Sequence, residues 1–158
     1  MARLTPRFSS NRAVREYTEQ YYLPAVSAYR ARAADKGAEG VRVVSWRHAL
    51  DEKWASLRFG EVSVKTVDQE HVFIVQLVLG DLDPAAVRVE LYANGVDGSE
   101  AERVEMKRVR RLVGAAGDYI YSVTVSAARL PRDYTPRVTP HFDGVAIPLE
   151  ETRVLWQR

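Results

Sequence analysis

The sequence predicts a mainly β protein, an antiparallel immunoglobulin-like β-sandwich of about seven strands preceded by two α-helices. Apolar residues recur at three- and four-residue spacing in roughly the first third of the chain, which is typical of helices. From residue 62 onward they alternate with polar residues, which is typical of strands. Turn residues separate the alternating runs about every 8 to 12 residues, a spacing found in all-β sandwiches.

The first helix is predicted from about Ser10 to Leu23. Four residues of this region lie on one helical stripe: Val14, Tyr17, Tyr21 and Ala25. Serine and asparagine side chains at its start can accept hydrogen bonds from the free N–H groups of the first turn. Pro24 biases the preceding residue away from helical geometry, so the helix either ends there or continues past a kink to Ala34.

A polar stretch with two glycines, residues 35–40, interrupts the helical pattern. A second helix is predicted from about Val44 to Leu57. Its apolar stripe consists of Val43, Trp46, Leu50, Trp54 and Leu57. The interruption predicts a division into residues 1–40, a terminal helix with a linker, and residues 41–158, a helix followed by the β-sandwich domain.

The remaining sequence contains stretches with the pattern of β-strands. Residues 71–79 are apolar on both faces, which predicts a central strand. Residues 103–113 are long and charged, which predicts an edge strand. Residues 131–140 are also predicted at an edge, because Pro136 and Pro140 cannot donate to a central ladder. The predicted strands are residues 62–66, 71–79, 87–92, 103–113, 119–125, 131–140 and 153–157.

Composition excludes several classes of protein. The 158 residues include no cysteine, which excludes disulfides, thiolate metal sites and cysteine nucleophiles and fits a cytoplasmic protein. The formal net charge of +2 is a small excess for a nucleic-acid-binding protein, so no nucleic-acid partner is expected. No stretch approaches 18 consecutive apolar residues, so no membrane-spanning segment is expected either.

No constellation of catalytic, cofactor-binding or metal-binding residues is recognisable, and none is predicted. Glu52 follows His48 by one helical turn, but such a pair alone is typical of a solvated helix face. His71 begins a strand and is predicted to be a surface histidine or a hydrogen-bonded one. The chain has no Gly-x-Ser-x-Gly motif, and no glycine-rich loop opens a helix after a strand.

The most basic stretch is residues 107–111, which contains four cationic side chains. A patch for phosphorylated ligands or nucleic acid would be one interpretation. A solvated edge strand is favoured, with Glu102 and Glu105 as ion partners, because no aromatic residues interleave the basic ones.

Aromatic residues provide the candidate binding positions. Tyr92 lies on the same predicted strand face as Arg88 and Glu90, so it is predicted to be exposed and is a candidate carbohydrate contact. Trp156 shares its predicted face with Val154 and is assigned to the core. Three tyrosines of the first helix occupy more than one face, which predicts burial against a partner. These candidate interface residues are Tyr17, Tyr21 and Tyr22.

Two groups of residues, one at each end of the chain, carry a family resemblance. The first group, at the start of the first helix, is Phe8, Ser9, Ser10, Asn11, Arg12, Arg15, Glu16 and Tyr17. The second group is Arg137, Val138, Thr139, Pro140 and His141 with Pro148, Leu149, Glu150, Val154, Leu155 and Trp156. The first resembles the last helix of the catalytic region of prokaryotic-type α-glucan (glycogen) phosphorylases, and the second resembles the end of their β-rich tail.

The resemblance implies a parent glycosyltransferase that releases glucose 1-phosphate from an α-1,4-glucan, using inorganic phosphate and pyridoxal 5′-phosphate. In that family the cofactor is attached to a lysine in a glycine- and asparagine-rich motif. The lysines of this chain are Lys36, Lys53, Lys65 and Lys107, and none lies in such a motif. The chain alone is therefore expected to bind no cofactor and to have no phosphorylase activity.

Three roles remain open for the chain. It is either a structural or interaction domain, whose partners would be the catalytic domains of the parent or a second copy in a homo-oligomer, or a glucan-binding module. The third role, a free-standing immunoglobulin-like interaction domain, is less favoured because the chain has no cysteines.

Overall fold

The computed structural model describes residues 9–112 and 117–158. The chain forms two compact units, Met1–Ser45 and Trp46–Arg158, which are described separately below. In the part of the chain that the structure describes, the first unit is helical, and the second contains the end of a helix followed by eight strands. None of the helices in the described ranges is long and apolar enough to cross a membrane.

The helical part begins with α1, Ser10–Tyr17, continues through a π-helical turn, Thr18–Tyr22, and then forms α2, Leu23–Lys53. The Ser9 hydroxyl accepts a hydrogen bond from the backbone N–H of Arg12 and so caps α1. The π-helical turn ends two residues before Pro24, where the sequence predicts an end or a kink. A widened turn accommodates a proline ring that an ordinary helix would clash with.

Four consecutive residues inside α2, from Ala34 to Gly37, have non-helical backbone angles. Three of them, Asp35, Lys36 and Gly37, have positive φ. Ala34 lies just before the predicted break at residues 35–40, and the other three residues lie within it. The sequence predicts a break that ends at Gly40 and a second helix from about Val44, whereas the structure is already helical over residues 38–43.

The eight strands form two antiparallel sheets of four. The strands are β1 (Arg58–Val67), β2 (Glu70–Val78), β3 (Val87–Ala93), β4 (Glu102–Glu105), β5 (Lys107–Arg111), β6 (Asp118–Ser126), β7 (Tyr134–Pro140) and β8 (Leu155–Trp156). The first sheet has the order β1-β2-β6-β5, and the second has the order β4-β3-β7-β8. Alternate residues of the inner strands form the core, including Phe73, Val75, Leu77, Val89, Leu91 and Val138.

The prediction of one long edge strand over residues 103–113 is wrong. The chain crosses from the second sheet to the first in the middle of this run, so β4 pairs with β3 and β5 pairs with β6. Met106 lies at the crossing, with only 3% of its surface exposed, and its N–H donates to the carbonyl of Val89 at 2.8 Å. Both strands lie at sheet edges, as their charge predicts. Val113, at the end of the predicted strand, is outside the described residues.

The prediction that residues 131–140 form an edge is also wrong, because β7 lies between β3 and β8. The carbonyl of Pro136 accepts a hydrogen bond from Gln157 N, so the backbone groups of residue 136 point toward β8. Pro140 lies four residues further along β7, an even spacing, so its backbone groups point to the same side of the strand as those of Pro136. The positions at which the prolines lack an N–H group are therefore on the β8 side of the strand, where only Arg137 and Val138 are paired. For this reason neither proline interrupts the long ladder between β7 and β3.

The last turns of α2 belong to the second unit and pack on the sandwich. Leu50 is completely buried, and the indole N–H of Trp46 donates to the carbonyl of Ala86 at 3.2 Å. Asp51 on the helix and Glu151 near the C-terminus both bind the guanidinium of Arg153. Three residues of the predicted apolar stripe, Trp46, Leu50 and Leu57, are buried within this unit.

Candidate functional site

An aromatic and charged cluster lies on the outer face of the second sheet. It consists of Glu90 and Tyr92 on β3, Arg137 on β7 and Trp156 on β8, and it is called the aromatic–arginine cluster below. Strand register brings these residues together, because Arg137 lies directly opposite Glu90 on one side and Trp156 on the other. Alternation places Tyr92 on the same face as Glu90, two residues along the strand.

An ion pair forms the centre of the cluster. Arg137 donates from Nε and from one terminal nitrogen to the same oxygen of Glu90, at 2.9 and 2.7 Å. The two side chains are only 14% and 13% exposed. A charge-assisted pair with this little solvent is held in one geometry and carries no net charge.

Two aromatic rings enclose the guanidinium. Its carbon lies 4.5 Å from the ring centroid of Tyr92 and 5.2 Å from that of Trp156, which are cation–π distances. The two rings meet at 82° with their centroids 5.2 Å apart. The Tyr92 hydroxyl donates to the side-chain oxygen of Asn94 at 3.1 Å. The cluster thus presents apolar ring surface beside oriented polar groups.

The structure places Tyr92 on an outer face, but half-buried between neighbours rather than freely exposed. Trp156 is the residue that the sequence reasoning missed. Its assignment to the core is wrong, because 39% of its surface is exposed. The predicted strand of residues 153–157 is reduced to two residues, and Trp156 lies on the face of Arg137. The sequence shows only which residues alternate with Trp156 along its strand. This does not tell which face of the sheet Trp156 occupies until the register of β8 is known.

The candidate interface tyrosines lie at the end of α1 and in the π-helical turn. Tyr17, Tyr21 and Tyr22 are 58%, 56% and 66% exposed. The rings of Tyr17 and Tyr21 contact each other, with centroids 6.2 Å apart. Further exposed apolar side chains surround them, so that residues 14–29 form a tyrosine-rich segment. Its other exposed apolar members are Val14, Leu23, Val26 and Tyr29.

The described residues contain no group of three or more histidine, aspartate and glutamate side chains that could hold a metal ion. His71 is buried, and both ring nitrogens are hydrogen-bonded. Nε2 lies 2.9 Å from the carbonyl of Arg129, and Nδ1 lies 2.8 Å from the hydroxyl of Thr66. Of the two predicted alternatives for His71, the surface position is wrong and the hydrogen-bonded one is confirmed, and the contacts explain its burial without a ligand.

The ion partners predicted for the basic run are wrong. Glu105 pairs with Arg88, and Glu102 pairs with Arg129, because β4 and β5 lie in different sheets. All five residues of β5 are exposed. Within residues 9–112 and 117–158, no carboxylate pairs with the cationic side chains of this strand. The strand therefore presents an uncompensated row of positive charge.

Two tyrosines have perturbed acidity. Burial between the sheets raises the pKa of Tyr121 to about 12. Burial and a hydrogen bond to Glu102 raise the pKa of Tyr134, whose hydroxyl donates to that carboxylate at 3.1 Å. Both shifts keep the phenols protonated, so neither side chain is poised for acid–base chemistry near neutral pH.

The fold and these surfaces define the protein as a two-sheet antiparallel β-sandwich domain preceded by helices. The family model described as glycogen phosphorylase C-terminal domain matches residues 39–158. The chain therefore belongs to the glycogen phosphorylase C-terminal domain family. This confirms the resemblance carried by the two ends of the sequence.

Curated relatives match most of the chain. It is 26% identical over 152 residues to the glycogen phosphorylases of Mycobacterium tuberculosis strains CDC 1551 and H37Rv and of Mycobacterium bovis. The match covers 90% of this chain but only 18% of each relative. The chain thus spans less than a fifth of the length of these relatives.

Proposed function

We propose that the chain is the non-catalytic C-terminal domain of a glycogen phosphorylase and that it contacts the catalytic region through the tyrosine-rich segment. The exposure of this segment carries the proposal. More than half of the surface of each of Tyr17, Tyr21 and Tyr22 is open to solvent. Contiguous apolar surface of this kind is typical of a protein interaction site.

The position of the segment in the chain supports the catalytic region as its partner. The family model begins at residue 39, after the tyrosine-rich segment. The match to the phosphorylases leaves only about a tenth of the chain unaligned, so it includes most of the residues before 39. We infer that the segment corresponds to a part of those enzymes that precedes the C-terminal domain.

The strand order supports an immunoglobulin-like topology. In that fold the strands lettered A, B, E and D form one sheet, and C, F and G form the other, with extra strands beside C in some types. Lettering β1 to β8 in chain order as A, B, C, C′, D, E, F and G reproduces this arrangement, with A-B-E-D in one sheet and C′-C-F-G in the other.

The proposed parent is a cytoplasmic glycosyltransferase that releases glucose 1-phosphate from an α-glucan with the help of pyridoxal 5′-phosphate. The role of the present chain in that enzyme is positional rather than chemical. None of its lysines lies in the glycine- and asparagine-rich motif that the cofactor requires in the family.

Binding to the catalytic region of the phosphorylase from the same source tests the proposal. The test variant replaces Tyr17, Tyr21 and Tyr22 together with serine. Serine and tyrosine have similar helix propensities, so helix loss does not account for a difference. Calorimetry is expected to show binding by the wild-type chain that is weakened at least about tenfold in the variant, since buried tyrosines dominate interface energies.

The matched control replaces three exposed apolar residues of the sandwich, Val109, Leu130 and Leu149, with serine. This control is expected to bind like the wild type. Equal binding by both triple variants would exclude the tyrosine-rich segment as the contact. Self-association that disappears in the tyrosine variant, without binding to the catalytic region, would assign the segment to a second copy of the chain and contradict the proposal.

A further inference from the structure

We propose that the aromatic–arginine cluster is a binding site for an uncharged polysaccharide, with the ring of Trp156 stacking on a sugar ring. The choice of an α-glucan as that polysaccharide rests on the proposed function, whereas the site itself rests on its own geometry. The cluster lies on the outer face of the second sheet, within the second unit.

Exposure of Trp156 is the first observation. A tryptophan that leaves 39% of its surface in water on an outer sheet face forgoes part of the stabilisation of burial. Its neighbours hold the ring in place, since Tyr92 meets it edge-on and Arg137 lies against it. The part of Trp156 that remains in water belongs to a ring held by two neighbours, and such a ring offers an apolar surface for the C–H face of a sugar.

The charge of the cluster determines the class of ligand. Arg137 and Glu90 neutralise each other at 2.7 Å, so the cluster attracts neither anions nor cations strongly. One terminal nitrogen of Arg137 is not used in the bonds to Glu90, and Thr135 lies on the same strand face beside Tyr92. Guanidinium and hydroxyl groups of this kind can donate to sugar hydroxyls.

A second exposed surface provides an internal comparison. Strand β5, Lys107–Arg111, carries four uncompensated cations and lies in the other sheet. An acidic polysaccharide would be attracted to β5, whereas a neutral one gains nothing from its charge. The two surfaces therefore predict opposite preferences for ligand charge, which makes the choice of an uncharged ligand testable.

Affinity electrophoresis in native gels containing glycogen tests the site on the full chain. The wild-type protein is expected to be retarded, and Trp156→Ala is expected to lose at least about fivefold in affinity, since removal of one stacked ring weakens binding about 5- to 150-fold at other ring-stacking sites. Trp156→Phe retains a ring and is expected to keep part of the retardation. Tyr29→Ala, which removes an exposed ring of the first unit, is the matched control and is expected to migrate like the wild type.

The melting temperature of Trp156→Ala shows whether the variant remains folded. If it does not fold, Trp156→Phe and Thr135→Val decide the question, since both retain the sheet and both are expected to weaken retardation. Absence of retardation of the wild type by glycogen, or unchanged retardation of the folded variants, would overturn the proposal. Retardation by heparin and not by glycogen would also overturn it and assign ligand binding to β5. None of these outcomes depends on binding to the catalytic region.

Discussion

Replacing Arg137 with methionine should destabilise the domain by about 3 kcal/mol. Methionine retains the aliphatic volume but removes both hydrogen bonds to Glu90 and leaves that carboxylate only 13% exposed without a partner. Breaking a fully buried pair costs roughly 3–5 kcal/mol, and the residual exposure places this pair at or below the lower end of that range. Loss of the contacts to Tyr92 and Trp156 adds about 0.5–1 kcal/mol each.

Urea unfolding monitored by circular dichroism measures this change. Arg103→Met is the matched control, because Arg103 lies opposite Tyr92 in the same sheet and is exposed. Its effect should stay within about 0.5 kcal/mol. Adding Glu90→Gln to Arg137→Met should recover about 1 kcal/mol or more, since the unpaired charge is then removed. A cost for Arg137→Met below about 0.5 kcal/mol, or no recovery in the double variant, would refute the reasoning.

Two further predictions concern the interior of the second unit. Leu50→Ala should lower the free energy of unfolding by about 3 kcal/mol, because the side chain is completely buried between helix and sandwich; a cost below about 1 kcal/mol in urea unfolding would contradict that packing. The raised pKa of Tyr121, about 12 against 10.0, means that the unfolded chain loses this proton first, so its contribution to stability is complete below about pH 10 and decreases as the pH approaches 12. Tyr121→Phe should therefore reduce the loss of stability between about pH 10 and pH 12, and an unchanged loss would show that Tyr121 does not cause it.

The sequence predicts the sandwich-like β architecture and most of its strands because alternation is a local signal. Residues 71–79 are apolar on both faces, which predicts a central strand, and β2 lies between β1 and β6. The sequence does not predict the split between β4 and β5, because the pattern of a continuous charged run is typical of one edge strand. Met106 is an apolar residue between the charged residues 102–105 and the basic residues 107–111, which fits a residue that turns into the core.

The candidate site depends on register, which local patterns do not contain. Tyr92 was recognised because it shares a face with Glu90 on its own strand. Trp156 is not recognisable in this way, because its neighbours across the sheet depend on how β8 pairs with β7. The two strands are joined by an irregular loop, so local patterns do not give this pairing. The central position of β7 was missed for the same reason, since the effect of Pro136 depends on which partner strand its backbone faces.

Hydrogen exchange of the chain, alone and mixed with the catalytic region of the phosphorylase from the same source, tests the central claim most directly. The proposed interaction domain predicts that residues 14–29 gain protection on mixing, because the exposed tyrosines become buried. Exchange of the exposed strand β5 should remain unchanged. Protection confined to the sandwich, or no change anywhere in the chain, would contradict the account.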